Sequence, residues 1–411
     1  MSKNFYGKWI VVACCLTFGI SVGLPYYNMP FFYDYYKNTF HWQLHDITLG
    51  FPLAALLTLW VGPLLVPRFS PRKLIIAGTG LTLLSFVGFS RMSGDINIYY
   101  FLWFLYTFGY ILSGPIPHQI MVSHWFKRNR GSAMGIVYVG VGLVGALTSK
   151  YLVPPMTNAT SFRTTLLIVG FVMVLAWPIA WFVLKDKPSD IGQFADGDTQ
   201  PPPDVHQQSH TFGYLLGQWS FWLLLIGSLC SIGAIGAINQ HMKLVFSEQG
   251  FTKQSQLNAE WGTAQSWILW SSIGGRLLIG WCADKLSMKW VMTATYFIVA
   301  ASIPLLLSVS PSSGTYSFAL VFGFAMGADY MLIPLMAAKQ FGVNSLARAM
   351  AVILPVNTIG QTWVPLGVSF LREHFGSYAM PMNAVLGLAA IGAISILLLP
   401  RDTVSTKQQA A

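Results

Sequence analysis

Charge is what this chain has least of. Only 9% of its 411 residues are Asp, Glu, Lys or Arg, and its mean hydropathy is +0.55. A soluble domain carries about 25% charged residues, so a water-facing globular surface is excluded. Cysteine is scarce too. Cys14, Cys15, Cys230 and Cys282 all lie in apolar runs without metal-ligand spacing, which rules out a disulfide framework or a zinc site and leaves buried thiols. Period-2 alternation of the kind a membrane barrel needs is absent. The net charge of +10 does not point to nucleic acid. The basic residues sit in short clusters between apolar runs, without a basic–aromatic module, and membrane topology accounts for them.

What the chain has is apolar length. A bilayer core of about 30 Å takes about 20 apolar residues per helix. Twelve spans are expected on that rule: 9–33, 46–66, 73–91, 98–122, 130–153, 163–184, 217–242, 260–282, 290–309, 315–338, 346–370 and 378–399. The start of the chain superficially fits a signal peptide, but no small-residue cleavage site follows, so a retained first span is expected. Sixteen Lys and Arg fall on one side of the spans and seven on the other, which puts both termini in the cytoplasm. The longest polar stretch, 185–216, contains Pro201-Pro202-Pro203 and reads as a linker between two six-helix halves, 1–184 and 217–411. His206 and His210 lie in it without other ligands nearby in sequence, so a solvated linker is the reading there rather than a metal site.

The halves echo each other. "VPRFSPRK" from Val66 and "ADKLSMKW" from Ala283 occupy equivalent loops, pairing Arg68 with Lys285 and Arg72 with Lys289. Repeated six-helix halves are a known transporter plan. "GWCADKLSMK", from Gly280 through Asp284 to Lys289, and "WFKRNRGSAMG", from Trp125 through Arg130 to Gly135, resemble signatures of the major facilitator superfamily, in its oxalate/formate antiporter and monocarboxylate transporter branch. "NQHMKLVFSEQGFT" and "GADYMLIPLMAAKQFG" are similar to the same branch. The resemblance implies an all-α, twelve-helix fold with two pseudo-symmetric halves and an anion gripped by a span 8 arginine. The chain departs from the pattern in four places. Pro67 stands where an aspartate is common, Asn129 replaces one arginine, Ser272 stands where animal carriers place an aspartate, and span 11 lacks lysine.

Glycines at i, i+4 mark close helix contacts: Gly19 with Gly23, Gly131 with Gly135, and Gly323 with Gly327. Smooth faces of this kind let two halves rock, so a bulky Gly135→Leu is expected to block turnover.

Charge inside the membrane costs about 2.5–3.5 kcal/mol on insertion scales and normally faces a polar cavity. Arg276 lies six residues before Cys282, roughly 9 Å along the helix. Snorkelling to the interface is the plain alternative, but a guanidinium fork suits a carboxylate guest. Asp329, mid-span 10, is the second such charge. It is either a structural partner of Arg276 or a proton carrier competing with the substrate for it. His241 and His118 are rival proton carriers, or simply hydrogen-bonded interior histidines. Tyr26, Tyr27, Asn28, Tyr110, Tyr330, Asn357 and Gln361 are candidate cavity residues; Tyr33, Tyr35, Tyr36, Tyr99 and Tyr100 read as interfacial anchors.

These residues, with the resemblance, point to a monomeric carrier that moves a small organic monocarboxylate by proton symport and needs neither cofactor nor metal; the resemblance and the short loops imply a bacterial inner membrane. One dominant buried cation argues against a dicarboxylate. Anion exchange without protons is the nearest alternative. A non-transporting receptor lacks a signalling extension in the short tails, 1–8 and 400–411. A membrane enzyme ranks last, because no nucleophile–base pair stands out.

Overall fold

The computed structural model describes residues 5–58, 69–126, 130–198, 211–342 and 345–400, and among them there is helix but no strand. The twelve expected segments appear as α1 (Gly7–Phe40), α2 (Leu44–Thr58), α3 (Pro71–Arg91), α4 (Ile96–Trp125), α5 (Arg130–Tyr151), α6 (Phe162–Val183), α7 (Trp219–Glu248), α8 (Gln254–Lys285), α9 (Met288–Leu307), α10 (Tyr316–Phe341), α11 (Leu346–Phe375) and α12 (Ala379–Leu397). Ten stretches among the described residues are long and apolar enough to cross a membrane. The two segments outside that set are instructive. α2 is apolar, and its described part is short. α8 is long but interrupted by Asn258, Glu260, Gln265, Ser266, Ser272 and Arg276. A helix that keeps such residues at membrane depth must turn them toward protein or water.

The chain divides into two compact units, Met1–Asp204 and Val205–Ala411. In the first, α1 is irregular. A π-helical turn at Gly19–Gly23 and a 3-10 turn at Met29–Phe32 flank Pro25. α4 kinks at Gly114, ahead of Pro115 and Pro117. Pro117 has no N–H to give the carbonyl of Ser113 four residues back. The Ser21 hydroxyl donates to that carbonyl instead, at 2.8 Å, so the kink is satisfied from α1.

Glycine sets the closest helix approaches. A Cβ on Gly19 would lie 2.6 Å from the Gly140 carbonyl oxygen of α5, and one on Gly23 would collide with Val141. In the second unit Gly323 and Gly327 of α10 press on the backbone of Ile268 and Ser272 in α8, while Gly275 presses on Phe324. Gly135 departs from this pattern: a Cβ there meets nothing within 4 Å. The spacing of Gly131 and Gly135 therefore does not make a close contact at Gly135. The side-chain surroundings of Gly131 lie outside the described residues.

Three other expectations change. Tyr33, Tyr36 and Tyr99 are not interfacial. All three are 0–1% exposed; Tyr36 and Tyr99 pack with Phe89 and Trp103 into one aromatic cluster, with the Tyr99 hydroxyl donating to the Ile47 carbonyl at 2.8 Å. The seventh span does not end at residue 242, because α7 runs on to Glu248 and leaves Lys243 2% exposed. The start of the supposed linker is folded onto the first unit. Trp125 Nε1 donates to the Lys185 carbonyl at 2.9 Å, the Asp186 carboxylate accepts from the Arg72 N–H at 2.9 Å, and Gln193 accepts from the Tyr6 N–H at 3.1 Å. His206 and His210 lie outside the described residues.

Candidate functional site

The second unit holds the densest set of candidates. Gly327 has no side chain, so the backbones of α8 and α10 approach there, and Ser272 lies at the contact. Arg276 is one turn beyond Ser272 on the same face of α8. Its half-buried side chain reaches across, and Nε donates to the Gly327 carbonyl at 3.1 Å. That bond ties the guanidinium to the backbone of α10.

Asp329 follows Gly327 by two residues, roughly 200° around the helix. Gly327 faces α8, so the carboxyl turns away from it. Asp329 is 0% exposed, and Oδ2 accepts from the Ser231 hydroxyl of α7 at 2.8 Å. Tyr296 of α9 brings its phenol beside the same carboxyl. Neither Asp329 Oδ1 nor the Tyr296 hydroxyl meets hydrogen-bond geometry with any described group. Arg276 and Asp329 thus occupy opposite faces of α10, each with its own partner.

One helical turn beyond Gly327, Tyr330 lines a recess together with Ile232, Ile333, Met350, Leu354, Asn357, Thr358 and Gln361. Three expected cavity residues, Tyr330, Asn357 and Gln361, meet there on α10 and α11. Its apolar wall and Thr358 were not anticipated, although Leu354, Thr358 and Gln361 follow the i, i+4, i+7 rule that joins Asn357 to Gln361. Asn357 is 4% exposed, and its Oδ1 accepts from the Ser228 hydroxyl of α7 at 2.9 Å. No feature of the sequence pairs Ser228 with Asn357 or Ser231 with Asp329, since each pair joins distant helices.

The histidines are both held by two partners. His241 Nε2 donates to the Pro365 carbonyl at 2.8 Å, and its Nδ1 faces the Tyr378 hydroxyl at 2.9 Å. With Nε2–H given to a carbonyl, Nδ1 of the neutral ring accepts, and the Tyr378 hydroxyl donates to it. Glu248 ties this end together, accepting from Arg372 Nε at 2.8 Å and the Tyr378 N–H at 3.0 Å. In the first unit His118 Nδ1 donates to the Gly114 carbonyl at 2.7 Å, and its Nε2 faces Thr17 Oγ1 at 2.9 Å. That threonine hydroxyl also lies 2.9 Å from the Ala13 carbonyl. The hydroxyl can give its proton to Ala13 and accept from Nε2–H, or turn and donate to a bare Nε2. Either protonation state of His118 is accommodated by one rotation.

Elsewhere in the first unit Tyr26 gathers with Tyr27, Phe51 and Tyr110 at ring-centroid distances of 5.2–6.2 Å. Asn28 does not join them. It is 1% exposed, and Nδ2 donates to the Leu24 carbonyl at 2.8 Å and Thr148 Oγ1 at 3.0 Å, so it packs α1 against α5.

The loop residues are dispersed. Arg68 lies outside the described residues, and Arg130 opens α5. Gly280 packs on Met331 at 3.4 Å from an added Cβ. Asp284 and Lys285 end α8, and Lys289, in the first turn of α9, holds Nζ 5.7 Å from the Trp290 ring centroid. The side chains of Arg130 and Asp284 are outside the description.

Comparison with known proteins agrees with this architecture. The chain is 23% identical over 418 residues to the fujikurins efflux protein of Gibberella fujikuroi, covering 95% of this chain and 80% of that one. It is 25% identical over 329 residues to monocarboxylate transporter 12 of Rattus norvegicus, covering 74% and 65%. Its fold is similar to the crystal structure of a bacterial homolog of the human lysosomal transporter Spinster, in an inward-facing and unoccupied conformation, with a TM-score of 0.73 at 14% identity over 97% of this chain and 98% of that one. Residues 11–360 match the family model of the Major Facilitator Superfamily. With that match, two helical units and apolar helices throughout, the chain is a multi-pass membrane protein of the Major Facilitator Superfamily.

Proposed function

We propose that this carrier moves a small organic monocarboxylate together with a proton, with Arg276 gripping the carboxylate and Asp329 carrying the proton. The observation that supports it is the separation of the two charges on α10. A carboxyl with no exposure, one neutral hydroxyl donor and no cation within ion-pair distance among the described residues sits at lower energy as the uncharged acid. With that acid uncharged, the carrier can change conformation without burying an unpaired charge. Arg276, directed by a neutral carbonyl, is suited to two parallel hydrogen bonds from a carboxylate. Asp329 therefore acts here without pairing to Arg276, and the two are coupled through α10. His118, with its rotating Thr17 partner, is a second proton position in the first unit. His241, locked between Pro365 and Tyr378, serves as a positioning residue.

Tyr330, Asn357 and Gln361 form the wall for the body of the substrate, and Tyr26, Tyr27 and Tyr110 supply aromatic surface in the first unit. The working form is a monomer with both termini in the cytoplasm, and the bacterial inner membrane is its site. The likeness to a monocarboxylate transporter supports the cargo. A likeness to an efflux protein favours a second reading, export of an organic anion by exchange. Uptake of radiolabelled carboxylates into proteoliposomes, with and without an inward proton gradient, separates them. Symport requires accumulation that follows the gradient; exchange ignores it.

A further inference from the structure

Asp329 has a second neighbour besides Ser231. Tyr296 of α9 is 0% exposed, and its phenol stands beside the carboxyl. Oδ2 is taken by the Ser231 hydroxyl at 2.8 Å, whereas Oδ1 and the Tyr296 hydroxyl each lack a hydrogen-bond partner among the described residues. Buried polar atoms are almost always paired, and each of these two supplies what the other lacks. The surroundings offer little else, because Ile232, Met292, Ala328 and Leu332 belong to the same apolar core as the Tyr296 ring. Of the titratable groups on the helices packed against α10, Cys230 of α7 lies near the phenol. Arg276 of α8 is held on the Gly327 face, His241 of α7 is taken up by Pro365 and Tyr378, and Tyr330 lines the α11 recess. Arg348 stands in the first turn of α11, and no ion pair joins Asp329 to any of these helices among the described residues.

We propose that Tyr296 is the positioning residue for proton carriage by Asp329, its hydroxyl accepting from the acid and donating to the carboxylate. This rests on the reading of Asp329 as the proton carrier. A phenol suits both states, because its oxygen accepts and its O–H donates. With Ser231 donating to Oδ2, the proton of the acid belongs on Oδ1, the oxygen left without a partner. When that proton leaves, rotation about the phenol C–O bond turns the O–H onto Oδ1, and the carboxylate has two donors instead of one. A hydrogen bond to an ionised group is about twice as strong as one between neutral groups. Tyr296 therefore favours release of the proton more than its retention. Without the hydroxyl the acid holds its proton about tenfold more tightly, the difference between a charged and a neutral hydrogen bond.

Infrared difference spectra of the purified protein, titrated from acid to alkaline pH without substrate, test this, since an un-ionised carboxyl has a C=O stretch of its own. In wild type, a band that Asp329→Asn removes is expected to fade as pH rises. In Tyr296→Phe, which keeps the packed ring, the same band is expected to fade about one pH unit higher, a tenfold tighter hold on the proton. In wild type a tyrosine C–O band should shift with the same midpoint, and Asp329→Asn should abolish that shift. This second signal reads the contact without relying on the Phe variant. An unchanged or lowered midpoint in Tyr296→Phe, or an Asp329 band that fades with no tyrosine shift, overturns this inference and leaves Asp329 as the carrier. An Asp329 band that is absent at every pH, or present at every pH, overturns both.

Discussion

Ser231 on α7 donates its hydroxyl to Asp329 on α10 at 2.8 Å, in a site where the carboxyl has no solvent exposure. This contact joins two helices of the second unit through a group whose charge depends on one proton. Ionised, Asp329 needs more than one neutral donor to offset lost hydration; protonated, it needs little else. In the proposed symport, this is the contact that protonation of Asp329 changes.

Asp329→Asn keeps the shape of the protonated acid and removes the proton. Counterflow of substrate across proteoliposomes is expected to continue within about threefold of wild type, whereas gradient-driven accumulation falls about tenfold or more. Accumulation at wild-type level in this variant would remove Asp329 from the coupling.

Arg276→Lys keeps the charge and loses the fork. Two charge-assisted hydrogen bonds become one, so KM for the carboxylate is expected to rise about 10- to 100-fold, with expression unchanged. Equal KM values for Arg and Lys would mean that a point charge suffices.

Gly275→Ala sets a methyl against the Phe324 carbonyl where α8 and α10 meet. Overpacking of this kind costs about 1–3 kcal/mol, and a lowered thermal midpoint in detergent is expected. Gly135→Ala, where an added Cβ has open space, should leave the midpoint unchanged. Equal shifts in the two variants would contradict the glycine contacts described here.

Asp186→Ala removes the carboxylate that accepts from the Arg72 N–H at the start of α3. Helix N-terminal caps are worth about 0.5–2 kcal/mol. Limited proteolysis between residues 185 and 198 should speed up several-fold, while Asp190→Ala, whose carboxylate accepts from the nearby Lys187 N–H, has a smaller effect.

The sequence made the architecture legible because lipid demands uninterrupted apolar length, and length is one-dimensional information. Arg276 and Asp329 were legible for the same reason: an ionisable residue in such a run is conspicuous. Asn357 and Gln361 emerged from helical spacing, and the recess joins them. The rest depended on contacts between distant helices. Ser231 and Ser228 are ordinary span residues until α10 and α11 come against α7. The opposite facing of Arg276 and Asp329 follows from the Gly327 contact with Ser272. Span 7 was ended too early because hydropathy stops a span where polar residues begin, yet "NQHMK" continues the helix, with Lys243 buried. Tyr33, Tyr36 and Tyr99 were misread as anchors because tyrosine at a span end suits a headgroup region as well as an aromatic core.

Lumenal pH in proteoliposomes, followed with a trapped dye while C2–C8 monocarboxylates are added outside, tests the central claim most directly. Undissociated acids leak across lipid, so the reference is a matched preparation of Arg276→Ala. Wild type should acidify the lumen faster than the reference for at least one acid, and Asp329→Asn should match the reference. Identical rates in all three preparations, alongside wild-type uptake of the same radiolabelled acid, would contradict proton-coupled carriage.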